Sequence, residues 1–119
     1  MKLRFSIQYG TQWGENLHVV IKYVSADGTK KQYNLLMTTD DGTHWSLETA
    51  ALESRQHPVT SFTYYYQVED GDGNVIRREW AQVPRTYPFD SSKSYILQDL
   101  WRDMPLQHHL YSSAYRITN

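Results

Sequence analysis

The sequence predicts an all-β fold, an antiparallel β-sandwich. Short segments with apolar alternation recur along the chain, turn signals rich in Gly and Asp separate them at close spacing, and no stretch carries the period of a long helix. With 119 residues the chain is long enough for one domain with a sizeable core.

The elements follow in order. Leu3, Phe5, Ile7 and Tyr9 alternate with Lys2, Arg4, Ser6 and Gln8, which is a first strand. Leu17 to Val24 is a nearly continuous β-rich run and predicts a strand covered on both faces. Asp27-Gly28 turns the chain into a strand from about Lys31 to Thr38, and Asp40-Asp41-Gly42 turns it again into Thr43 to Glu48. Glu48 to Gln56 has some helical propensity but lies between strands, so a loop or a single turn is expected. Phe62 to Val68 and Val75 to Trp80 read as a hairpin, because the Asp-Gly pairs between them supply the positive backbone dihedrals of a tight reversal. On its first strand Phe62, Tyr64, Tyr66 and Val68 share one face, expected to be core, and Thr63, Tyr65, Gln67 and Glu69 share the other. Pro84 and Pro88 interrupt an extended link, and Ser94 to Leu97 reads as a closing strand. Residues 1–98 are therefore expected to form the sandwich. Residues 99–119 are expected to be an irregular C-terminal tail or linker: Leu100, Trp101, Leu106, Leu110 and Tyr115 are apolar but follow no strand period. The ending Arg116-Ile117-Thr118-Asn119 carries no stop signal and points to a longer parent protein.

Composition narrows the function. Ten Tyr and four Trp suit surfaces that are both apolar and hydrogen-bonding. The net charge is −1, and the short pairs Lys30-Lys31 and Arg77-Arg78 have acids nearby, so no clustered positive field invites nucleic acid. Both pairs are expected to be solvated strand edges that discourage edge pairing. The absence of cysteine removes disulfide and thiol chemistry. No segment has transmembrane length, and the N-terminal residues lack the apolar run of a signal peptide, so no membrane partner and a cytoplasmic location are expected. The five histidines show no metal-ligand spacing, and Asp70-Gly71-Asp72-Gly73-Asn74 lacks the distal Glu of a calcium loop. No metal and no cofactor are expected. Acids cluster in turns rather than as a facing pair across a cleft, so neither an intrinsic hydrolase nor any catalytic residue is expected.

The aromatics point to sugar. A flat ring edged by polar groups stacks on the C–H face of a pyranose while neighbouring donors and acceptors meet its hydroxyls. Tyr65 faces outward from the hairpin, and Trp80, after a charged triplet and before a Pro-containing link, is placed at a sheet edge near it. Trp13 lies between Gly10 and Gly14, in a loop where an indole is hard to bury. Trp45 alternates with Leu47 and reads as core, and Trp101 is expected to pack the tail or an adjoining domain.

Two stretches resemble the starch-binding domains of carbohydrate-binding module family 20. Trp13-Gly14-Glu15-Asn16-Leu17 is similar to that family's aromatic-Gly-Glu-Asn step, and Phe62 to Tyr66 with Glu79-Trp80 and Pro84 is similar to its aromatic hairpin. Within the family the chain looks most like the N-terminal modules of plant-type disproportionating enzymes, which are 4-α-glucanotransferases (amylomaltases). Tyr9-Gly10-Thr11-Gln12-Trp13-Gly14-Glu15-Asn16-Leu17 and the closing Leu97-Gln98-Asp99-Leu100-Trp101 carry that likeness. The resemblance implies an immunoglobulin-like sandwich that is not itself an enzyme. It also implies α-glucan partners (starch, glycogen, maltooligosaccharides) and a catalytic domain in the same parent chain. The carbohydrate-binding residues it implies are Trp80, Trp13, Glu15 and Asn16, to which the outward place of Tyr65 on the hairpin adds Tyr65. The chain also departs from the pattern: Tyr65 stands where the family's first site has a lysine, Ala26 to Lys30 lacks that site's first tryptophan, and Thr39 to Thr43 lacks the partner tyrosine of the second site. Those departures leave a rival expectation, a structural sandwich that packs on the catalytic domain without binding sugar.

Overall fold

The computed structural model describes residues 2–50, 58–79, 85–90 and 92–102. Among them the strands are β1 (Lys2–Gln8), β2 (Asn16–Ser25), β3 (Lys30–Leu36), β4 (Thr38–Thr39), β5 (His44–Ala50), β6 (Val59–Glu69), β7 (Val75–Arg78), β8 (Arg85–Pro88) and β9 (Tyr95–Leu100), with no helix. One sheet has the order β4-β5-β1-β9; the other has the order β3-β2-β6-β7, with β8 also paired to β6. The fold is the expected all-β sandwich. Among the described residues its one departure from antiparallel pairing is β9, which runs parallel to β1 with Leu3 opposite Tyr95 and Gln8 opposite Leu100. A parallel pair needs a long crossover, and here nearly the whole described chain lies between the two strands.

Alternation builds the core. Leu3, Phe5 and Ile7 of β1 face Leu17, Val19, Ile21 and Tyr23 of β2 and Phe62, Tyr64, Tyr66 and Val68 of β6 in a single buried cluster. Trp45 joins it, as alternation with Leu47 requires. The expectation of a doubly covered β2 does not hold: Lys22 is exposed and His18 half-buried. Two stacked sheets cover each other on one face only. Val20, flanked in register by Asn34 and Tyr65, is the residue of that outer face shielded by its own neighbours.

The strand expected from Lys31 to Thr38 is divided by Met37. That residue is buried, and its N–H bonds the Leu17 carbonyl at 2.9 Å while the chain passes from one sheet (β3) to the other (β4). The hairpin is as expected, with Gln67 opposite Arg78 and Val68 opposite Arg77. Asp70 Oδ1 accepts the N–H groups of Asp72 and Asn74, both at 2.9 Å, so its carboxylate serves the reversal.

The closing strand runs past Leu97, and the boundary expected after Gln98 falls inside β9. Asp99 is held from three directions. The hydroxyls of Tyr64 and Tyr66 donate to its Oδ2 at 2.8 and 2.7 Å, and Arg85 Nε approaches its Oδ1 at 3.2 Å. Arg85 also pairs bidentately with Glu79 and donates to the Leu100 carbonyl at 2.8 Å, and Glu79 in turn accepts the N–H groups of Tyr66 and Arg102, both at 2.9 Å. This buried network ties β6, β8 and β9 across the two sheets. The loop expected over Glu48 to Gln56 begins later than expected, because β5 continues through Glu48 to Ala50, and its remaining residues lie outside the described residues. So do the residues between Glu79 and Arg85, Trp80 and Pro84 among them, and the tail from 103 to 119 with Leu106, His108, His109, Leu110 and Tyr115.

Candidate functional site

Trp13 occupies the tip of a turn between β1 and β2. The Glu15 N–H donates to the Gln12 carbonyl at 3.0 Å, and Gly14, at φ 84°, supplies the positive dihedral that a turn of this kind demands at its second central position. Trp13, at the first central position, is wholly exposed, with a relative accessibility of 103%. The turn is braced on both sides. Thr11 donates its N–H and its hydroxyl to the Gly42 carbonyl at 2.8 and 2.9 Å, and the Tyr9 N–H reaches the Thr43 carbonyl at 2.7 Å. On the other side Glu15 Oε1 accepts the Gln12 N–H at 2.9 Å and Arg77 Nη2 at 2.7 Å. Arg77 Nε donates to the Tyr9 hydroxyl at 2.9 Å, and Trp101 stacks on the Tyr9 ring at 4.3 Å between centroids. The bonds from Arg77 and Gln12 hold the Glu15 carboxyl below its ordinary range. Of the motif residues, then, Trp13 meets solvent, Glu15 holds the loop in shape, and Asn16 opens β2 opposite Glu69.

Tyr65 lies on a second surface, the outer face of the β3-β2-β6-β7 sheet, where it is half-buried opposite Val20. The Arg78 guanidinium stands 5.6 Å from its ring centroid, and Arg78 Nε donates to Gln67 Oε1 at 3.3 Å. From there a polar chain crosses the sheet. Gln67 Nε2 and Asn34 Nδ2 donate to Glu69 Oε2 at 2.8 and 2.7 Å, and His18 Nδ1 bonds Asn34 Oδ1 at 2.9 Å. Burial works to raise the Glu69 carboxyl pKa, but the amides of Asn34 and Gln67 outweigh it and bring the value down. Tyr65 is thus an aromatic ring edged by the Arg78 guanidinium and the Gln67 amide, from which the polar chain continues. It lies on β6 opposite the middle of β2 while Trp13 precedes β2, so the structure keeps the two as separate surfaces. Trp80 and its expected place beside Tyr65 fall outside the described residues.

The arginine pair lies on the edge strand β7 with Arg78 exposed, as expected, but both side chains also make specific contacts with the sandwich. Adjacent residues on β7 point to opposite sides, so Arg77 turns to Tyr9 and Glu15 while Arg78 turns to Tyr65 and Gln67. The signal was present in the hairpin register, which sets Arg78 beside Gln67 on the same face as Tyr65. Trp101 likewise packs on Tyr9, within the sandwich.

A structure of a glycoside hydrolase family 15 glucoamylase from Hypocrea jecorina superposes on this chain with a TM-score of 0.59 at 15% identity, over 87% of this chain and 17% of that one. A gamma-CGTase from alkalophilic Bacillus clarkii does so with a TM-score of 0.55 at 15% identity, over 85% of this chain and 15% of that one. The chain therefore spans less than a fifth of either enzyme, and at this identity the likeness establishes the fold. No family model matches the sequence, and no curated protein does.

Proposed function

We propose that this chain is a non-catalytic α-glucan-binding module, the N-terminal domain of a 4-α-glucanotransferase. It holds starch, glycogen or maltooligosaccharides near the catalytic domain of its parent chain. The observation that carries this reading is Trp13: a fully exposed indole on a turn fixed by Gly42 and by the Glu15–Arg77 bond. A turn whose backbone is fixed before the ligand arrives avoids part of the ordering cost of binding. Tyr65, with Arg78 and Gln67 beside it, offers a second stacking ring. Two further supports are the sandwich shared with regions of a glucoamylase and a CGTase, and the Trp13-to-Leu17 motif. Glu79 and Asp99, both engaged with Arg85, are structural carboxylates in this reading rather than an acid–base pair. Binding on shallow, wet surfaces is weak, on the order of micromolar to millimolar or about 4 to 8 kcal/mol. Its effect is to raise the local substrate concentration at the linked catalytic domain.

One observation favours the structural alternative. Ile96 and Leu100, 66% and 72% exposed, lie on one face of the edge strand β9, where a neighbouring domain can pack. Migration in a native gel containing amylopectin separates the two readings. Glucan binding predicts retardation relative to an inert protein, reduced severalfold by Trp13→Ala or Tyr65→Ala. Because Trp13 touches only solvent, its truncation should shift stability by less than about 0.5 kcal/mol. Unretarded wild-type protein would favour the packing role.

A further inference from the structure

We propose that the outer face of the β4-β5-β1-β9 sheet carries a second, separate groove that binds a neutral polyhydroxylated chain, a glycan. The groove, about 650 Å³ in volume, is lined by all four strands of that sheet. Its floor is a register row in which Ser46, Ser6 and Gln98 stand opposite one another, followed by a row of His44, Gln8 and Leu100. The paired serines are short enough to leave a trough between longer neighbours. Among the described residues the side chains of Ser6, Gln8, Ser46 and Gln98 have no hydrogen-bond partner, so two hydroxyls and two amides offer their full capacity to a ligand.

The walls fix the shape. At one end the loop from Thr39 to Thr43 is cross-braced: Asp41 Oδ1 accepts the N–H groups of Thr43 and His44, both at 2.8 Å, and Asp41 Oδ2 meets His44 Nδ1 at 2.7 Å. At the other end Leu100 presents exposed aliphatic surface.

Charge selects the ligand class. The carboxylates of Asp40 and Asp41 at the rim disfavour phosphates and other anions. The oxygens of Asp41 are already engaged, and no cluster of metal-ligating side chains forms among the described residues, which disfavours a cation. Neutral donors and acceptors on the floor, with an aliphatic wall beside them, suit a ligand of hydroxyls and C–H faces. The choice of a glucan as probe rests on the reading above. The position of the groove does not, because it lies on the sheet opposite the one that carries Tyr65.

The test is an amide and indole NMR titration with maltoheptaose, on wild-type protein and on Trp13→Ala/Tyr65→Ala. We expect the amides of Ser6, Gln8, Ser46 and Gln98 to shift in both proteins. Ser46→Arg, which fills the trough from an exposed position, should abolish those shifts, and Gln98→Ala should weaken them severalfold. If Ser46→Arg disturbs the fold, Gln98→Ala decides alone. Shifts at Trp13 or Tyr65 with none in the groove would overturn this proposal and leave the proposed function standing. Shifts in the groove alone would uphold the groove and remove the aromatic sites. No shift anywhere would end both.

Discussion

Trp13 and Glu15 are two residues apart in one motif, yet the turn sends one side chain into water and folds the other back onto Arg77. Chemistry follows from that division. The Glu15 carboxyl, ordinarily near 4.5, is held lower chiefly by its bond from Arg77, with the Gln12 N–H second. A group depressed in the folded state stabilises above its unfolded pKa, and that contribution is lost as pH falls through the folded value. Glu15→Gln should therefore lower the thermal midpoint at neutral pH, with the gap to wild type narrowing as pH falls through and below the ordinary carboxylate range. Midpoints recorded across that range check this. A gap that stays constant with pH would mean that the carboxylate charge contributes nothing to the brace. The variant should also weaken glucan binding at Trp13 without touching the indole, since the turn loses one of its two anchors.

At the scale of elements, three short pieces of chain meet in the Glu79–Arg85–Asp99 network. Arg85 is one buried cation between two carboxylates, and the Tyr64 and Tyr66 hydroxyls complete the shell of Asp99. Removing a single partner from such a group leaves charge uncompensated in the interior, which typically costs about 3 to 5 kcal/mol. Arg85→Met should destabilise by that amount in urea unfolding, while Tyr66→Phe, which deletes one bond to an ionised acceptor, should cost about 1.5 to 3 kcal/mol. A loss below 1 kcal/mol for Arg85→Met would show, on the same scale, that water reaches the pair. The network also shows where sequence reading stops. Alternation over Phe62 to Val68 and over Leu3 to Ile7 marked the core faces without help, because the period-2 signal is local. The contacts of Glu79, Arg85 and Asp99 depend on which strands are neighbours. Nothing local announces that β9 lies parallel to β1, or that Asp99 is inward while Gln98 is outward. The same limit hid the outer groove: Ser6, Ser46 and Gln98 each resemble ordinary solvent-facing positions until register brings them into one row. The indole at Trp13 was legible because two flanking glycines and a turn are local features; the brace by Arg77, from a strand far along the chain, was not.

The whole molecule is two sheets sharing one core, with Tyr65 on one outer face, the serine groove on the other, and Trp13 at the turn before β2, whose brace at Gly42 belongs to the loop that closes one end of the groove. What keeps the faces apart is an aromatic interior, and that interior sets the pH limit of the fold. Tyr23 is pushed up to about 12, chiefly by burial and then by Tyr33 beside it. Burial raises Tyr64 and Tyr66 further, and the carboxylate of Asp99 that accepts their protons' hydrogen bonds adds to the shift. An unfolded tyrosine gives up its proton near 10.0, while these three keep theirs in the folded chain. The sign follows: their contribution is complete below the unfolded pKa and declines as pH rises above it, because the unfolded state gains the ionised phenolates that the core excludes. The thermal midpoint should fall steeply between about pH 10 and pH 12, and the decline should be shallower in Tyr66→Phe, which removes one of the three protons. Absorbance titration of the phenols should show a delayed group that ionises together with loss of the near-ultraviolet circular dichroism. If every tyrosine titrates at its ordinary pH in the folded protein, the buried aromatic core described here is wrong.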